Sequence, residues 1–127
     1  MQTYTFLANT DEQLESQLAQ REWCDSKQYL VQLFSTQSPD VARQLANVAL
    51  NRLSHATLIG QSARHVICDN CLESTCTLVI VSEFNETRLT SVMQPFTGNP
   101  NQDSQDLVSQ LELSEDTKTV ILSLIHI

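Results

Sequence analysis

Glycine is nearly absent from this sequence: Gly60 and Gly98 are the only two in 127 residues. Phosphate-cradling loops need several glycines at fixed spacing, so nucleotide binding through a P-loop or a dinucleotide fingerprint is excluded. Basic residues are also few, seven against fifteen acidic ones, for a net charge of −8. Those seven, Arg21, Lys27, Arg43, Arg52, Arg64, Arg88 and Lys118, are scattered, and an acidic surface without a basic cluster repels a phosphate backbone, so no nucleic-acid partner is expected. No apolar run approaches the roughly eighteen residues of a membrane span, and Met1–Phe6 lacks the features of a signal peptide. A cytoplasmic protein with no membrane insertion is therefore expected.

What is present is one domain's worth of apolar residues, 41% of the chain, enough for a single core. The densest pattern runs from Gln28 to Ile67. Tyr29-Leu30-Val31-Gln32-Leu33-Phe34 reads as an interior strand buried on both faces. Ser38 offers an N-cap oxygen, Pro39 suits the first helical position, and Val41, Leu45, Val48, Ala49 and Leu53 recur at helical spacing. Ala56-Thr57-Leu58-Ile59 reads as the next strand, with Gly60 marking its end by a tight turn or a close backbone approach. The three together form a β-α-β unit.

The flanks read more coarsely. Thr3 to Leu7 is a candidate strand, and Thr10-Asp11-Glu12-Gln13 has capping-box form for a helix through Leu14 and Leu18 that ends near Trp23. Arg64 to Cys68 and Cys76 to Phe84 read as strands, with a polar turn at Asp69-Asn70 between them. Asn85-Glu86 reads as a hairpin connection to a returning antiparallel edge strand, Arg88 to Phe96. Thr97-Gly98-Asn99-Pro100-Asn101 is a turn before a helix carrying Leu107, Val108 and Leu111, and Thr119 to Ile127 reads as a last buried strand. The expected fold class is α/β, of the α+β mixed-sheet kind: residues 1–127 as a single domain with a central mixed sheet and about three helices.

An apolar strand, Phe34-Ser35, a helix, Ala56-Thr57-Leu58-Ile59-Gly60-Gln61-Ser62 and a later strand Thr77-Leu78-Val79-Ile80-Val81 together resemble the amino-terminal part of a FIST sensory domain. The resemblance covers roughly residues 28 to 96. Gly60, Ser62 and Ile67 match the family's motif, whereas Gln61 replaces a cysteine, His65 a glycine and Val66 an acid. The resemblance implies a bacterial input module placed ahead of a signalling output domain, such as a GGDEF diguanylate cyclase of cyclic-di-GMP signalling. A hydrophobic end at Leu124-Ile125-His126-Ile127 fits a fragment cut from such a longer protein.

Under this reading the protein is not an enzyme. It is expected to bind a small ligand at Gly60, Gln61, Ser62, Arg64 and His65, where Arg64 meets a carboxylate or phosphate by paired hydrogen bonds. The alternative is an interaction module, a homodimer formed through the edge strand Arg88 to Phe96. No cofactor is expected. The competing cofactor readings are zinc or an iron–sulfur cluster at His65, Cys68, Cys71 and Cys76, and haem on His55, His65 or His126, as some FIST-like sensors imply. Cys24, beside Trp23, reads as a core residue. A hydrolase would require Ser62 and His65 with Glu83 or Asp69, but Arg64 stands where the elbow motif needs glycine.

Overall fold

The computed structural model describes residues 1–69 and 71–121. The elements follow in the order β1 (Gln2–Ala8), α1 (Asp11–Ala19), β2 (Gln28–Ser35), α2 (Pro39–Arg52), β3 (Ala56–Ser62), β4 (Val66–Cys68), β5 (Cys71–Glu73), β6 (Thr77–Phe84) and α3 (Pro100–Gln110). Among the described residues the fold is a small α+β one with a mixed four-stranded sheet and three helices, as expected. Its described residues fall into two compact units, 1–89 with the sheet and two helices, and 90–121 with α3.

The four-stranded sheet has the order β1-β6-β2-β3. Strands β2 and β3 are parallel, from Tyr29 opposite Ala56 to Ser35 opposite Ser62, and α2 makes the crossover. Helix α2 starts where the sequence places it, because the Ser38 hydroxyl accepts from the Val41 N–H at 3.4 Å and Pro39 needs no donor. Leu45 and Ala49, with Leu53 just after the helix, are buried with Leu14 and Leu18 of α1 against Ala8, Tyr29, Val31, Leu33, Val79 and Val81. Each fully buried leucine contributes about 1.5–3 kcal/mol of transfer free energy.

Helix α1 ends at Ala19 rather than near Trp23. Trp23 instead turns back to donate its indole N–H to the Leu18 carbonyl at 2.9 Å. Its ring meets Tyr4 and Tyr29 edge-on, with centroids at 5.4 and 5.6 Å, and Arg21 lies over Tyr4 at 4.2 Å. The Tyr29 hydroxyl accepts from the Cys24 N–H and donates to the Cys24 carbonyl, at 2.8 and 3.2 Å. Cys24 is exposed, not a core residue, because Trp23 takes the packed position.

Burial differs from the sequence expectation along β2. Tyr29, Val31, Leu33 and Ser35 are buried, but the alternate residues Leu30, Gln32 and Phe34 are only half-buried. Helices cover one face of the sheet, and the β4–β5 hairpin covers part of the other through Val66 and Cys68, which pack with Cys76, Leu78, Leu7, Phe34 and Ile80. Gly60 does not end its strand. It lies inside β3 opposite Leu33, and a Cβ there would come within 2.9 Å of the Leu33 carbonyl oxygen. Close approach, and not a turn, is what requires glycine.

Arg88 to Phe96 forms no strand. Both edges of β6 are occupied, by β1 (Gln2 opposite Glu83) and by β2 (Gln28 opposite Phe84), so no edge of β6 is left for a return strand. Thr119–Ile121 has no regular structure and is exposed, and the rest of the expected last strand, including His126, lies outside the described residues. In the second unit, Asn99 caps α3 by accepting from Gln102 N–H at 3.3 Å, and Thr97 binds Asp103 through its N–H and hydroxyl at 3.0 and 2.6 Å. Gly98 takes the left-handed φ of 92° that this turn uses.

Two outcomes are expected. Gly60→Ala lowers unfolding free energy by about 1–3 kcal/mol in urea titration, because the overlap is with backbone that cannot swing away. Alkali destabilises the fold: the Glu83 carboxylate hydrogen bond holds the Lys27 ammonium above its ordinary pKa, and burial pushes the Tyr29 phenol up. Both groups release their protons first in the unfolded chain, so their stabilisation is complete below about pH 10 and is lost as pH rises through the folded values. Unfolding midpoints fall steeply as pH rises above about 10.

Candidate functional site

The carboxyl ends of parallel strands are where open sheets present ligand crevices, and here that end is built from hydroxyl groups. Ser35, the last residue of β2, is buried with its hydroxyl 2.8 Å from that of Thr77. Thr77 donates to the Gln37 side-chain oxygen at 2.9 Å, and the Gln37 N–H donates back to the Ser35 hydroxyl at 3.2 Å. Thr36 is fixed as firmly: its hydroxyl donates to the Cys76 carbonyl and accepts from the Cys76 N–H, both at 2.9 Å. The Gln37 amide reaches the Asn9 carbonyl at 3.1 Å. The β2–α2 connection is therefore tied to the start of β6 and to the β1–α1 turn before α2 begins.

The chain leaving β3 runs alongside this connection, because the Ala63 N–H donates to the Ser35 carbonyl at 2.8 Å. Ser62 is the exposed last residue of β3, and Arg64 and His65 follow it, both exposed. Among the described residues neither Arg64 nor His65 has a hydrogen bond or ion pair. Gly60 and Gln61, expected in the same site, lie within the strand: Gly60 against Leu33, and Gln61 half-buried opposite Phe34. The structure thus sets Ser62 opposite Ser35, with exposed Arg64 and His65 just beyond the Ala63–Ser35 bond, and makes Gly60 and Gln61 part of the sheet that supports them.

The four candidate metal ligands are distributed over the hairpin. His65 and Cys71 are exposed, Cys68 is half-buried opposite Cys71, and Cys76 is buried in the cluster that includes Cys68. Burial pushes the thiols of both Cys68 and Cys76 up, and the acids Asp69 and Glu73 act in the same direction. That opposes the thiolate form a metal requires. Among the described residues no group of three or more His, Cys, Asp or Glu side chains is arranged to hold a metal ion. His55 is exposed beyond the end of α2.

A triad through Glu83 does not assemble. Ser62 is level with Ser35 and Glu83 with Tyr29, six residues along β2 and about 20 Å away at strand rise. Glu83 is instead buried in an ion pair with Lys27. An open cleft of about 720 Å³ was not foreseen from the sequence; it lies where α1 and α2 end and is lined by Arg21, Glu22, Trp23, Asn51 and Arg52. No sequence spacing links Arg21 to Arg52, whereas the Ser35–Ser38 and Thr77 hydroxyl set did carry a signal, polar residues at the ends of two apolar runs. No helix among the described residues is long and apolar enough to cross a membrane. No family model, curated protein or solved structure matches this chain.

Removing the Thr77 hydroxyl tests the support of this site. Thr77→Val leaves the buried Ser35 hydroxyl and the Gln37 side-chain oxygen without their shared partner, and costs about 1–3 kcal/mol in urea unfolding. Thr77→Ser recovers most of that loss.

Proposed function

We propose that this chain is a non-catalytic input module that binds a small anionic ligand, a carboxylate or phosphate, at Ser62, Arg64 and His65. Ligand occupancy would bias an output domain in the same polypeptide, of the diguanylate cyclase kind that the sequence resemblance implies. The observation that carries this reading is the pairing of unpartnered, exposed Arg64 and His65 with a rigid, hydroxyl-rich connection at the carboxyl end of a parallel strand pair. A guanidinium free of intramolecular partners keeps its fork of donors for a planar anion. The rigid connection means that little ordering cost is added when a ligand arrives.

The dimerisation reading loses Arg88 to Phe96 as its edge, since that segment is not a strand. It passes to the outer edges of β1 and β3, which carry no strand partner among the described residues.

Inorganic phosphate and succinate, titrated into isotopically labelled protein, test the site. Saturable amide shifts are expected at residues 62–65 and 37–41, weakened about tenfold or more in Arg64→Ala and unchanged in Arg52→Ala. Shifts confined to the Arg21–Arg52 cleft, or linear without saturation, count against it.

A further inference from the structure

We propose that Cys68 and Cys71 are a reversible dithiol–disulfide pair that closes the β4–β5 hairpin. The two residues are direct partners in the antiparallel register, the last pair before the connection. Opposed residues in such a ladder have Cα atoms about 4.5–5.5 Å apart and side chains on one face. That Cα separation falls in the roughly 4.4–6.8 Å range of disulfides, and a small inward shift brings Cβ atoms from about 4.5–5.5 Å to the roughly 3.5–4.5 Å that the bond takes. Only Asp69 and Asn70 intervene in sequence, and Asp69 takes the left-handed φ of 49° that a two-residue hairpin connection demands. The register thus places the two cysteines opposite each other while both thiols are free.

The two sulfurs differ in access. Cys71 is exposed and meets a reagent first, whereas Cys68 is half-buried against Cys76 and Leu78. With the disulfide of a low-molecular-weight thiol as oxidant, the Cys71 thiolate attacks one reagent sulfur. The reagent S–S bond breaks, a mixed disulfide forms on Cys71, and the departing thiolate takes up a proton. Cys68, as thiolate, then attacks the Cys71 sulfur, the Cys68–Cys71 bond forms, and the second reagent thiolate leaves and is protonated. Two protein thiols are oxidised and one reagent disulfide is reduced to two thiols.

The hairpin has use for such a tie. Three residue pairs hold it, and its Ile67–Leu72 pair is 69% and 64% exposed. A two-stranded ladder of this length is marginal by itself. Closing it fixes the arm that follows directly on Ser62–His65, whatever that site binds.

The full chain is equilibrated without oxygen in glutathione buffers of graded oxidised-to-reduced ratio, and remaining thiols are alkylated and mapped by peptide mass spectrometry. The expected result is joint loss of labelling at Cys68 and Cys71 with one midpoint, a peptide lighter by two hydrogens, retained labelling at buried Cys76, and only a glutathione adduct, with no intramolecular bridge, at exposed Cys24. Amide exchange at residues 66–73 slows by about tenfold in the bridged form. In Cys68→Ser, Cys71 stops at the glutathione mixed disulfide, and in Cys76→Ser the bridge still forms. Accumulation of the mixed disulfide on Cys71 in the unsubstituted chain, a Cys68–Cys76 bridge, or linkage between chains through Cys68 or Cys71 would each overturn the proposal.

Discussion

Strand β6 is bonded on both edges, and the rest of the sheet depends on that. Its partners both come from the far end of the sheet-bearing unit's sequence: β1, which precedes every other element, and β2 from the β-α-β unit. Without β6, β1 has no strand partner and the β-α-β unit is a two-stranded fragment. Its near-continuous burial, Thr77 to Glu83 with only Ile80 half-exposed, follows from this central position. The same occupancy leaves Arg88 to Phe96 without a place beside β6. Because Gln2 pairs with Glu83, the contacts that complete the sheet are among the most distant in sequence, and loop closure must precede their gain.

The entry into β6 also builds the site. Ser35 and Thr36 at the end of β2 bond Thr77 and Cys76 at the start of β6, so the sheet's central pairing fixes the connection leading to α2. Burying hydroxyls there is tolerable because they satisfy one another and Gln37 in a closed set. The exit of β3 is held to this connection through Ala63, which leaves Arg64 and His65 projecting from a fixed base.

The hairpin that follows has the opposite character. It is short, with apolar residues packed on the sheet on one side and a solvent-exposed Ile67–Leu72 pair on the other. Its strength is set by few contacts, so a covalent change at Cys68 and Cys71 acts on a local equilibrium more than on the core, which is built from α1, α2 and the other sheet face.

Local chemistry alone determined much of this protein. The Ser38-Pro39 start of α2, the Thr10 cap of α1 and the apolar runs of β2 and β6 are written in neighbouring residues, because capping and periodicity operate within a few positions. Gly60 was legible as a special position, and Ser62, Arg64 and His65 as polar residues beyond an apolar strand. Tertiary structure decided why they matter. Only the pairing of Gly60 with Leu33 shows that its missing Cβ serves close strand approach, and only the Ser35–Ala63 bond brings the β3 exit beside the hydroxyl network. The placement of β6 between β1 and β2, and with it the fate of Arg88 to Phe96, depends on which strand edges are still open, a property of the assembled sheet that no local run of residues contains.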